Sequence, residues 1–126
     1  MNPVKKQLVY VPIAQVILTN SKTSWKRIDW LARHLNMREF KALPAWWNGH
    51  GYMLTDGNHR TQAAKLAGFD YVPVVLLTKA EFDFVKFSER SIDMLVCAPE
   101  KPIVLSIPPA NEVDVGILNQ CIEVKN

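Results

Sequence analysis

The 17 residues from Tyr52 to Gly68, YMLTDGNHRTQAAKLAG, constrain this chain most, because they run a β-prone segment through a tight turn straight into a helix. Residues 59–67 are good helix formers, and Gly68 stands where a helix takes its C′ glycine. A strand feeding a helix through so short a turn requires sheet and helix to pack in one unit. Val72-Pro73-Val74-Val75-Leu76-Leu77 follows, and its near-continuous apolar character suits a strand covered on both faces, with the proline at its start.

Upstream of the turn, Ala45-Trp46-Trp47-Asn48 and Tyr52-Met53-Leu54-Thr55 flank Gly49-His50-Gly51 and read as a β-hairpin. Residues 8–18 are rich in β-branched side chains but contain Pro12, so they predict an edge or terminal strand that breaks there. The polar segment 19–24 offers N-caps for a helix beginning near Trp25, in which Ile28, Leu31 and Leu35 make the apolar face and Pro44 marks the far limit. In the helix over 59–67, Ala63, Leu66 and Ala67 are expected on one side. Lys79 to Val96 predicts one or two helices carrying Phe82, Val85, Ile92 and Leu95, and a last β-prone stretch lies around Ile117 to Val124.

With 126 residues the chain has the size of one domain, and 48% apolar with 21% charged residues describes a globular protein, not a disordered or fibrous one. Its apolar runs fall far short of the roughly 20 residues of a transmembrane helix, and the amino terminus lacks the features of a signal peptide. A cytoplasmic protein with no membrane partner is the expectation. Cys97 and Cys121 form no CxxC pair and have no histidine at metal-ligand spacing, so they read as buried free thiols. The net charge is only +3, but residues 1–41 sum to +6 and residues 42–126 to −3. The basic first third is a candidate for phosphate or DNA contact, although lysines scattered on a solvated helix give the same count.

The chemistry concentrates at residues 56–61. The first N–H groups of a helix lack intrahelical partners and lie at the positive end of the peptide dipoles, which suits phosphate. Gly57 permits a close backbone approach, Arg60 offers a planar fork to phosphate oxygens, and His59 can donate another bond. Backbone N–H groups of Gly57, Asn58 and Thr61 complete the candidate set. Asp56 would repel an anion unless a metal bridges the two, so Mg²⁺ ligand or general base are both open to it. Helix capping by Asp56 or Asn58 and a plain turn role for Gly57 remain open beside these.

Residues 45–77 resemble the core of the ParB/sulfiredoxin-like superfamily, in which a strand leads through D-G-x-H-R into a short Ala-rich helix, a glycine and a V-P-V strand. Here these are Asp56-Gly57-Asn58-His59-Arg60, Ala63-Ala64, Gly68 and Val72-Pro73-Val74. Val11-Pro12-Ile13 and a helix over 25–40 extend the match to about residues 8–78, leaving 79–126 as a carboxy-terminal extension of a single domain. The resemblance implies an α+β fold, a small mixed sheet with packed helices, and a phosphate-binding turn. It includes CTP-binding partition proteins, sulfiredoxin, free-serine kinases that use ADP, and plasmid or phage nucleases.

Sulfiredoxin chemistry is disfavoured because Asn58 stands where that family has its cysteine. The 48 residues after Thr78 leave no room for the helix-turn-helix and dimerisation parts of a partition protein, so a stand-alone domain is expected. The expected function is binding of ATP or CTP phosphates with Mg²⁺, with or without hydrolysis, in a DNA-associated protein of plasmid or phage type. The resemblance carries the catalytic roles onto Asp56, His59 and Arg60. A small-metabolite kinase using ATP or ADP, a nuclease, and a non-catalytic DNA-binding module are the alternatives. Trp46 and Trp47 face opposite sides of their strand and read as packing residues. His50 reads as an exposed turn residue, His34 receives no role, and Glu39 is placed near the active end of the sheet.

Overall fold

A computed structural model of the chain describes residues 3–18, 24–36 and 39–121. Six strands form one mixed sheet: β1 Val4–Pro12, β2 Val16–Ile17, β3 Leu43–Trp47, β4 Tyr52–Leu54, β5 Tyr71–Leu76 and β6 Met94–Cys97, in the order β2-β4-β3-β5-β1-β6. Four α-helices accompany them: α1 Trp25–Arg33, α2 Asn58–Leu66, α3 Lys79–Ser88 and α4 Glu112–Leu118.

The sheet must curl. From Pro12 to Val16 the chain can reach at most about 14 Å, whereas four inter-strand steps of about 4.8 Å would part β1 from β2 by about 19 Å in a flat sheet. A 3-10 turn at Ile13–Gln15 makes the crossing, so the break at Pro12 is real. The edge position expected for this strand is not found, because β1 lies between β5 and β6. Leu8 to Pro12 pair antiparallel with β5, and Val4 to Gln7 pair parallel with β6. Where β6 stops, residues 103–105 continue the ladder: Tyr10 N–H donates to Ile103 O at 2.7 Å and Leu105 N–H to Tyr10 O at 2.8 Å. A later segment thus takes the edge that the proline had suggested.

Val72 to Leu77 are all buried, as their apolar run predicts, and Val72, Val74 and Leu76 join Val9, Val11, Ile13, Leu43, Ala45, Tyr52 and Ala64 in the main core. The hairpin forms with Trp47 opposite Tyr52, and Asn48 closes it by accepting from the N–H groups of His50 and Gly51 at 2.8 and 2.9 Å. Trp46 packs on Phe82 of α3 with ring centroids 5.1 Å apart, and Trp47 packs on Tyr52 at 4.8 Å.

Four further expectations are corrected. In α2 the buried residues are Thr61, Gln62, Ala63 and Ala64, while Leu66 is exposed, because the helix packs through its first two turns. Ile92 and Leu95 are not helical: α3 ends at Ser88, and Leu95 sits in β6. Ile117 begins no strand but closes α4, whose Asn111 cap accepts from Asp114 N–H at 2.9 Å and whose Val115 enters the core. Residues 122–124 of that expected strand lie outside the described residues, as do positions 37 and 38 of the helix expected over 25–40, of which α1 covers Trp25–Arg33. Finally, Cys97 and Cys121 are not free thiols but a disulfide with Cα atoms 5.7 Å apart. They come together only because residues 98–121 fold back over the sheet, which sequence spacing does not reveal.

Among the described residues no helix is long and apolar enough to cross a membrane.

Candidate functional site

The turn between β4 and α2 is fixed by a glycine that has no substitute. Gly57 is buried at φ +97°, a left-handed conformation that side-chain-bearing residues avoid, and a Cβ there would lie 2.3 Å from Leu43 Cδ2. The backbone needs glycine for conformation and for space at once.

From that glycine the helix starts without a side-chain cap. Asp56 Oδ1 accepts from Gly57 N–H at 2.7 Å, which fixes the entering carboxylate beside the turn while Asp56 itself is exposed. Thr61, wholly buried, donates both its N–H and its hydroxyl to Gly57 O, each at 3.0 Å. Its backbone N–H is therefore used inside the helix, and its role is to hold the turn closed. Asn58, His59 and Arg60 form the first turn and are half-buried.

Arg60 lies against the segment that leads into β3. Its Nη1 donates to Lys41 O at 3.1 Å, and its guanidinium carbon sits 5.7 Å from the centre of the Phe40 ring. One edge of the fork is thus anchored, which pre-sets its direction at the mouth of α2. His59 faces α1: its Nε2 accepts from the N–H of Ser24, the N-cap of that helix, at 3.2 Å. A bond from His59 to an anion then falls to its other ring nitrogen, Nδ1.

Phe40, Lys41 and Leu43 escaped the sequence reading, and Ser24 was read as a helix cap and not as a neighbour of the site, although one signal was available. β3 pairs antiparallel with β4, and Thr55 N–H donates to Pro44 O at 3.2 Å. Whatever precedes β3 must therefore flank the turn that follows β4. Glu39 is exposed, and its N–H donates to Asn36 O at 3.0 Å. His50 is exposed in the hairpin loop, and His34 stacks on Trp30 at the end of α1.

Among the described residues no three His, Cys, Asp or Glu side chains are grouped to hold a metal ion. A lone exposed carboxylate, Asp56, suits Mg²⁺ only where ligand phosphates and water supply the remaining oxygens.

No protein-family model matches the chain, and no curated protein sequence does. Among solved structures, the chain is similar to the crystal structure of the C-terminally truncated chromosome-partitioning protein ParB from Caulobacter crescentus, complexed with CTP-γ-S. The likeness has a TM-score of 0.50 at 15% identity over 67% of this chain, which spans 54% of that structure, about half its length. A six-stranded mixed sheet with four helices, arranged in this way, is a ParB-like α+β fold.

Proposed function

We propose that the turn at residues 56–60 binds the phosphates of a nucleotide. One observation carries this reading. In three helices the N-cap side chain accepts from one amino-terminal N–H, Ser24 from Arg27 in α1, Thr78 from Glu81 in α3 and Asn111 from Asp114 in α4, whereas α2 begins on Gly57 with no such bond. Its first-turn donors and positive dipole end sit beside the half-anchored Arg60, in the arrangement that favours an anion. That the structurally similar ParB holds a CTP analogue agrees with this reading.

In it, the N–H groups of Asn58, His59 and Arg60 and the guanidinium hold phosphate oxygens, and His59 adds a bond from Nδ1. Asp56 acts at the edge, as a partner for a Mg²⁺ ion that the phosphates bring, or as the base that activates a nucleophile. The base of the nucleotide, turnover and a phosphoryl acceptor are decided by assay. Residues 8–78 form the binding core and 79–126 extend it within one domain.

Calorimetric titration of ATP, ADP and CTP, with and without Mg²⁺, tests the proposal. Binding near the micromolar range, about −8 kcal/mol, is expected for at least one of them. Arg60→Ala should weaken it roughly 10-fold or more, the range of charge-assisted hydrogen bonds, with the circular dichroism spectrum unchanged. Absence of heat with every nucleotide sinks the proposal. Loss of nucleotide over hours with wild-type protein alone identifies a hydrolase. Loss only when a small acceptor is added identifies a kinase.

A further inference from the structure

The outer face of α1 carries chemistry that the turn does not use. Ile28 is buried and Leu31 and Ala32 are half-buried, so one side of the helix is packed, and α2 lies alongside. Every other residue from Trp25 to His34 is exposed. At helical spacing these form two i, i+4 rows, Trp25–Asp29–Arg33 and Lys26–Trp30–His34, with Arg27 on the flank.

Each row combines an indole with one Lys or Arg. Trp25 is 69% and Trp30 58% exposed, whereas tryptophan is highly buried on average. His34 stacks under Trp30 with ring centroids 4.4 Å apart, and its Nδ1 lies 2.7 Å from Trp30 O, so the indole is held at one orientation. Arg33 pairs with Asp29 at 3.1 Å, while Lys26 and Arg27 make no ion pair among the described residues. Three strong cations against one acid leave the face positive.

We infer that this face of α1 binds single-stranded nucleic acid, with Trp25 and Trp30 stacking on bases and Lys26, Arg27 and Arg33 meeting phosphates. A positive surface selects a polyanion, and oriented aromatic faces select unpaired bases, which a duplex conceals. A membrane-bound helix would gather its apolar groups into one continuous stripe away from the charges. Here the indoles sit within the charged rows. The inference does not depend on the nucleotide reading of the α2 turn.

Anisotropy of a fluorescent oligo-dT of about 15 nucleotides, titrated with the full chain at about 50 and about 200 mM salt, tests it. Binding at the lower salt is expected, weakening as salt rises. The Trp25→Ala/Trp30→Ala double variant should bind roughly 10-fold or more weakly, and Trp30→Phe should keep most of the affinity, since stacking and not bulk is at issue. Lys26→Glu should weaken binding and flatten the salt dependence. All three side chains are exposed, so far-UV circular dichroism should match wild type throughout. No binding at the lower salt overturns the inference. So does equal affinity for a duplex of the same length, an unaffected double variant, or binding to phosphatidylserine vesicles without binding to the oligonucleotide.

Discussion

At the scale of single residues, two positions stand out, one inside the turn at residues 56–60 and one away from it. Gly57→Ala forces a methyl into a left-handed position 2.3 Å from Leu43 Cδ2, so the leucine or the turn must move. A loss of about 2 kcal/mol or more is expected, combining backbone strain with overpacking, and urea unfolding measures it. Lys6 is the second. It is buried on β1, and its ammonium donates to Leu76 O at 3.0 Å and to Glu81 Oε1 at 2.6 Å. Burial raises the Glu81 carboxyl, but the hydrogen bond and charge of Lys6 and the Thr78 contacts outweigh it and hold the carboxyl below its ordinary value of 4.5. A carboxylate with a lowered folded pKa contributes stability that is present above pH 4.5 and lost as pH falls through the lowered value. Denaturation midpoints should drop over that acid range in wild-type protein, and the drop should be shallower in Lys6→Met.

At the scale of elements, the sequence was legible where local signals agree with the packing. The hairpin around Gly49-His50-Gly51, the buried β5 and the end of α2 are of this kind. At that helix end Gly68, at φ +92°, donates to Lys65 O at 3.1 Å and Phe69 donates to Ala64 O at 3.0 Å, the paired bonds of a Schellman stop. α3 is capped by Thr78 and Glu81 reciprocally, and Thr78→Ala should cost about 1 kcal/mol, read from thermal or urea unfolding. Legibility failed where tertiary contact overrides propensity. The stretch from Ile117 on reads as β-prone, yet the Asn111 cap and the burial of Val115 carry Ile117 into a helix. β6 exposes Leu95 and Val96 and, among the described residues, pairs with β1 alone, so it lacks the alternation that would have revealed it. In the candidate site, Asp56 to Thr61 declared themselves by type and spacing. The inward turn of Thr61, the seat of Arg60 on Phe40 and Lys41, and the link from His59 to Ser24 depend on residues brought from elsewhere in the chain.

At the scale of the whole molecule, residues 79–121 complete the fold and are no appendage. α3 supplies Phe82 to the packed interior, β6 extends the sheet, residues 103–105 clip to Tyr10, and α4 lends Val115 to the core. Asn119 Nδ2 also donates to Leu76 O at 2.9 Å, tying the end of α4 to the end of β5. The Cys97–Cys121 bond fastens this return across a sequence separation of 24. Disulfides persist in oxidising surroundings and are scarce in the reducing cytosol, so redox state should govern this region. Reduction is expected to remove about 3.5 kcal/mol, the loop-entropy value for a ring of this size, and melting with and without a thiol reductant measures it. The same bond changes what a break in the chain means. Residues 98–120 hang as a closed covalent loop between two points beside the sheet, so a protease that cuts there opens the loop without shedding a fragment, and a nicked molecule stays whole until its sulfurs are parted.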